Sequence, residues 1–206
     1  MKSKKVPYCV LVCLFACPAL ATYTYTITEY QSLPDLHDNQ SMLVKDNGGG
    51  GLITLIGDSL MRVDGTSALK EGYGGIWEIR LGGYSHLGFS GGEMHLLNIG
   101  NYVTATLSGG RIDNIYSYQA AWKYAGDPPV KVSNPHIEIV CDLGSVNYDT
   151  VTKKLTGSWL DGIPFSIQLI DVSGYSPAIE NIFFTPEPAT LCMMAAGALL
   201  LRRRHV

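Results

Sequence analysis

The chain predicts an all-β fold: a short right-handed β-solenoid, a β-helix-like coil of strands, with a small antiparallel cap at its C-terminal end. A β-sandwich is the alternative, and a short hydrophobic helix closes the chain. Three observations carry the prediction. Only 16% of the 206 residues are charged while glycine occurs 23 times, a composition of short strands and tight turns rather than of helical bundles. Gly65, Gly74, Gly83, Gly92 and Gly110 fall on a nine-residue spacing, with Asn101 filling the gap, and these two residue types tolerate positive φ at turns. With 46% apolar residues, the chain can build one domain with a core or one elongated repeat body.

In chain order, residues 1–21 read as a secretory signal peptide. Lys2, Lys4 and Lys5 precede an apolar run from Val6 to Phe15, and the small residues Ala19 and Ala21 flank Leu20 as a cleavage triplet. The run is too short for a comfortable membrane span, which takes about 20 residues. Cleavage after Ala21 by signal peptidase is therefore expected. Lipoprotein processing at Cys17 is the competing reading, and the bulky Phe15 fits it poorly.

Residues 22–47 form an N-terminal strand or cap, because "TYTYTIT" alternates as an edge strand would. Residues 48–122 hold the glycine-rich repeat. "FSGGEMHLLNIGNYVTAT" and "LSGGRIDNIYSY" align 18 residues apart from Phe89 to Leu107, so two beats make one coil and the region holds about four. Between turns, Ile76 to Leu81 and Met94 to Leu97 are apolar stretches whose alternate residues would point inward. Such units bury their apolar faces only by stacking.

Residues 123–184 read as an antiparallel unit. After the loop Gly126-Asp127-Pro128-Pro129, "HIEIVCDL" puts Ile137, Ile139, Cys141 and Leu143 on one face. "KLTGSWLDGIPFSIQLIDV" then reads as a hairpin about Asp161-Gly162, a favoured two-residue turn pair, and "AIENIFF" as the last strand. This unit would cap a sheet edge that otherwise invites aggregation.

Residues 185–206 have a different character. Pro186-Glu187-Pro188 breaks any preceding helix. From Ala189 to Leu201 there is no charge; as a helix this run is about 20 Å long against a hydrocarbon core of about 30 Å. Arg202, Arg203 and Arg204 form a basic stop on the cytoplasmic side. Three parts in this order at the C-terminus resemble the PEP-CTERM sorting signal, the tail by which exosortase handles bacterial proteins bound for the cell surface or the exopolysaccharide matrix. His205 and Val206 after the arginines, and Cys192, Met193 and Met194 within the run, depart from the usual pattern. The "SGG" beats and "LTGSWLDGIPFSIQL" together with this tail look like a group of PEP-CTERM surface proteins with no assigned activity. The resemblance implies the cell envelope, surface or extracellular matrix, a transient membrane anchor through the C-terminal helix, and processing by exosortase near Pro186, Glu187 and Pro188. It implies no catalytic residues.

Charge and cysteine placement narrow the function further. The stretch 22–184 holds 9 of the 15 basic and 17 of the 18 acidic residues, a net charge of −8, which repels phosphate backbones and argues against a nucleic-acid partner. Four of the five cysteines lie in the terminal segments, which leaves Cys141 as a core residue without a disulfide framework. There is no Gly-x-Ser-x-Gly and no phosphate-binding loop, and Asn39-Gln40-Ser41 matches a glycosylation sequon only formally.

The polar candidates in the repeat are His86, Glu93, His95, Arg111 and Asp113. Glu93 and His95 share a strand face by their i, i+2 spacing, but two ligands do not make a zinc site. The continuations "GGYSHL", "GGEMHL" and "GGRIDN" lack the aspartate pattern of calcium-binding rolls. A glycosidase needs two carboxyls about 5–10 Å apart, and Asp113 lies two beats plus two residues beyond Glu93. The expectation is accordingly no catalytic site, metal or cofactor. The sequence reads as a structural or adhesive surface or matrix protein that contacts exopolysaccharide through Tyr84, Tyr102, Tyr116 and Tyr118. A small β-helical polysaccharide lyase or hydrolase using Glu93, Arg111 and Asp113 is the alternative.

Overall fold

The computed structural model of the protein describes residues 23–69, 74–100, 102–117, 135–172 and 176–186. These residues are mostly strand and form two sheets that do not close into a barrel. The first sheet contains, edge to edge, β1 (Tyr25–Ile27), β2 (Ser41–Val44), β4 (Leu60–Val63), β6 (His86–Phe89), β8 (Thr104–Leu107), β10 (His136–Val140) and β14 (Ile182–Thr185). The second contains β3 (Gly50–Leu55), β5 (Ile76–Leu81), β7 (Glu93–Ile99), β9 (Arg111–Ser117), β13 (Pro164–Ile170), β12 (Lys154–Ser158) and β11 (Asn147–Asp149).

From β2 to β10 successive strands alternate between the sheets, and every pair in the first sheet is parallel. Register partners lie 18 residues apart from β5 to β7 to β9 and from β6 to β8. They lie 26 apart from β3 to β5 and from β4 to β6, and 19 apart from β2 to β4. The wider spacing reflects extra chain between β4 and β5, and the described part of it is tied down by Glu93, whose backbone N–H donates to Thr66 Oγ1 at 2.7 Å.

The core lies between the sheets. In the first sheet period-2 patterning buries Met42 and Val44, Met61 and Val63, Leu87 and Phe89, Ala105 and Leu107, Ile137 and Ile139. Each large apolar side chain so buried stabilises by about 1.5–3 kcal/mol. In the second sheet strict alternation fails. Ile76, Ile79 and Leu81 are buried, as are Met94, Leu97 and Ile99, and Ile112 and Ile115. Two consecutive residues therefore face outward: Trp77 and Glu78, His95 and Leu96, Asp113 and Asn114. The ladder skips Trp77, His95 and Asp113, so each strand bends there and its side-chain alternation restarts. Leu96, expected on an alternating strand, consequently lies outward.

The corner glycines have two uses. Gly74, Gly83, Gly92 and Gly110 adopt φ between 69° and 90°. Gly109 instead permits close approach, since a Cβ there would lie 2.3 Å from Ser90 O. Gly65 shares the nine-residue spacing but is not in the left-handed region; it lies in the extra chain between β4 and β5, where the 18-residue offset is not kept. Asn101 lies outside the described residues.

The expected antiparallel unit over 123–184 is narrower than its sequence suggested. Among the strands only β11, β12 and β13 pair antiparallel, with one further antiparallel bridge between Cys141 and Trp159, while β10 pairs parallel with β8 and β14, and β13 parallel with β9. Both sheets thus continue through this region, because Ile137, Ile139 and Leu169 extend the same buried layers. The β12–β13 connection is longer than a two-residue turn: Trp159 N–H donates to Ile163 O and Gly162 N–H to Trp159 O. Trp159 is fully buried, donates from Nε1 to Gly110 O at 2.8 Å and packs on Phe165 at 4.6 Å. Cys141 is buried with Ile137 and Ile139, and burial pushes its thiol up, with Asp142 adding to the effect. Leu143 does not share that face: it begins a 3-10 turn (Leu143–Ser145) and is 47% exposed.

Candidate functional site

Stacking in register gathers outward residues that are far apart in sequence. Opposite Glu93 stands Arg111, whose Nη1 is 3.7 Å from Glu93 Oε2 and whose Nε donates to Asp113 Oδ1 at 2.9 Å. The same Glu93 oxygen accepts the Leu69 N–H at 2.7 Å. Asp113 Oδ2 is 3.2 Å from His95 Nδ1. The imidazole stacks on the Trp77 indole at 4.2 Å with the planes 22° apart. Asn114 Nδ2 donates to His95 O at 3.1 Å, which ties β9 to β7.

Glu93, His95, Arg111 and Asp113 are therefore brought together on one face. The guanidinium of Arg111 bridges the two carboxylates that the sequence left unaligned. Glu93 Oε2 and both Asp113 oxygens are occupied by Arg111, His95 and the Leu69 amide, an arrangement that braces neighbouring strands and the chain after β4. Among the described residues, no three His, Cys, Asp or Glu side chains group so as to hold a metal ion.

His86 is elsewhere, on the outer face of the first sheet, where its Nδ1 pairs with Thr104 Oγ1 of the neighbouring β8. Beside it Tyr84 and Tyr102 stack with centroids 5.0 Å apart and planes 15° apart, 57% and 43% exposed. His136 and Phe183 stack at 4.3 Å on the same sheet. Tyr116 faces outward from the second sheet and is half-buried. Tyr118 lies outside the described residues.

Sequence reasoning passed over Trp77, which is 48% exposed. The signal was present: Trp77, His95 and Asp113 follow one another at the 18-residue beat. Glu78 next to it accepts Arg80 Nε at 2.6 Å and Nη2 at 3.1 Å.

Of the sorting segment only Pro186 is described; it follows β14 directly and is half-buried. Glu187, Pro188, Arg202, Arg203, Arg204 and the signal residues Ala19 and Ala21 lie outside the described residues, as does the expected terminal helix. No helix among the described residues is long and apolar enough to cross a membrane. Comparisons of the chain with protein-family models, with curated proteins and with solved structures found no match.

Proposed function

We propose that the protein is an exported component of the cell surface or extracellular matrix, structural or adhesive in role and without catalytic activity, sorted through a PEP-CTERM tail. Its body is a short β-solenoid with two broad outward faces. One observation carries the functional reading: arginines on these faces are paired with carboxylates, within a strand at Arg111–Asp113 and Arg80–Glu78 and between strands at Arg111–Glu93, while Trp77, Tyr84 and Tyr102 remain exposed, the indole stacked on His95 and the tyrosines on each other. Paired charges make a rigid face, and exposed aromatic rings suit contact with exopolysaccharide. Signal peptidase and exosortase are the processing partners. The apolar segment after Pro188 anchors the protein in the membrane until it is cut. The described strands support that order, because the last one ends at Thr185 and Pro186 cannot donate to a continued ladder.

Mass spectrometry of the protein from the envelope and matrix of its source cell, with and without exosortase, tests the sorting step. A mature chain beginning near Thr22 and ending near Pro186 to Pro188, only where exosortase is present, is the expected result. A chain that retains Arg202 to Val206 in both backgrounds would overturn it. Incubation with the cell's own exopolysaccharide tests the non-enzymatic assignment. Depolymerisation that disappears in Glu93→Gln would establish an enzyme instead.

A further inference from the structure

We propose that Trp77, over the glycine at position 51, forms a stacking subsite for one pyranose ring of a neutral polysaccharide; the assignment rests on the matrix reading above and names its ligand class. Across β3, β5, β7 and β9 one outward column runs Gly51, Trp77, His95, Asp113, each lying between register partners on either side. The column is braced from one end. Arg111 holds Asp113, Asp113 meets the His95 imidazole, and the imidazole lies flat against one side of the indole. Trp77 is thereby held with its ring facing along the column, without free rotation to lose when a ligand stacks on it.

The opposite side of the indole looks toward Gly51. A Cβ at that position would meet nothing within 4 Å, and the backbone there is not left-handed. The neighbouring glycines differ: a Cβ at Gly49 would lie 2.2 Å from Gly75 O, and one at Gly50 would lie 2.5 Å from Gln31 O. Gly49 and Gly50 are required by backbone packing, whereas Gly51 is not. What its missing side chain does is leave the second face of Trp77 open.

The surroundings suit a sugar. The indole face is electron-rich and attracts the polarised C–H groups on the flat side of a pyranose. Leu52, 42% exposed, continues the apolar floor beside it. In the adjoining column Glu78 is paired bidentately with Arg80, two residues along β5, whose half-exposed guanidinium can donate to ring hydroxyls. The net charge of −8 over 22–184 disfavours a polyanionic chain and selects a neutral one.

Calorimetric titration of the full-length protein with cellohexaose, mannohexaose and N-acetylchitohexaose, with oligogalacturonate as the anionic arm, tests the subsite. At least one neutral oligosaccharide is expected to bind, the anionic one is not, and Trp77→Ala should weaken binding by about tenfold or more. Because Trp77→Ala also removes the stack on His95, the decisive variant is Gly51→Val. It fills the open face while suiting a strand, so binding should be lost with the urea midpoint unchanged. Gly88→Ala, on the first sheet, where a Cβ also meets nothing within 4 Å, serves as the control. If neutral oligosaccharides bind and both Trp77→Ala and Gly51→Val bind as the wild type does, the subsite is overturned while glycan contact through the tyrosines stands. If none of the neutral oligosaccharides binds, or only the anionic one does, the subsite is overturned and the sorting reading is untouched.

Discussion

Gly110 and Gly88 show how differently one residue type serves this fold. Gly110 has φ +77°, and a Cβ there would sit 2.6 Å from Gly92 O and 2.7 Å from the Phe89 ring, so strain and clash coincide. Gly110→Ala is expected to destabilise by about 1–3 kcal/mol. Gly88→Ala should stay within about 0.5 kcal/mol, and equal losses in urea denaturation would refute the distinction. Asp149 supplies a second test at this scale. Its carboxylate accepts from the Thr152 hydroxyl and from the Val151 and Thr152 amides, which hold it below the usual carboxylate range. The stability it adds is present above the unfolded-state pKa and is lost as pH falls through the lower folded-state value. Asp149→Asn should therefore be less stable than the wild type at neutral pH, with the gap narrowing in acid. A pH-independent gap in thermal unfolding would contradict this.

Among the elements, the β12–β13 hairpin depends most on one side chain. Trp159 plugs the end of the core, and its indole N–H reaches the carbonyl of the corner residue Gly110, 49 residues earlier. Trp159→Phe keeps most of the volume but removes that donor, for an expected loss of about 1–3 kcal/mol. Trp159→Ala adds a cavity and should cost about 3–5 kcal/mol, measurable by calorimetry. The hairpin was legible in the alternation of "KLTGSWLDGIPFSIQL" and in its Asp-Gly pair. The parallel pairing of β13 with β9, whose partners Gln168 and Asn114 are 54 residues apart, was not. Local patterning specifies that a strand exists and which face is apolar, but not its neighbour. The same limit hid the bend at Trp77 and Glu78, where two outward residues interrupt an alternation that short apolar runs do not display.

For the whole molecule the strand order predicts where the chain can be cut. β14 is the outermost strand of the first sheet and covers β10, with Ile182 opposite Ile137 and Phe184 opposite Ile139. Truncation after Pro186 removes no described strand and should leave the melting temperature unchanged. Truncation after Asn181 removes Ile182 and Phe184 and exposes an apolar edge. Ile182 is buried and Phe184 partly so, and at about 1.5–3 kcal/mol for one fully buried side chain the loss should lower the melting temperature and promote association, read by calorimetry and light scattering. Similar behaviour of the two truncations would contradict this strand order.

By itself the sequence determined the all-β class, the glycine corners at Gly74, Gly83, Gly92 and Gly110, and most of the apolar layers, because backbone sterics and hydrophobic periodicity act over a few residues. It also placed Glu93 and His95 on one face. Only the tertiary structure decided which outward residues meet. The 18-residue offset carries Trp77 to His95 and Asp113, while the 26-residue offset from β3 to β5 puts Gly51 before Trp77, a pairing no uniform beat predicts. Register between strands is a long-range property, set by how much chain separates one strand from its partner before its apolar residues return to the common core.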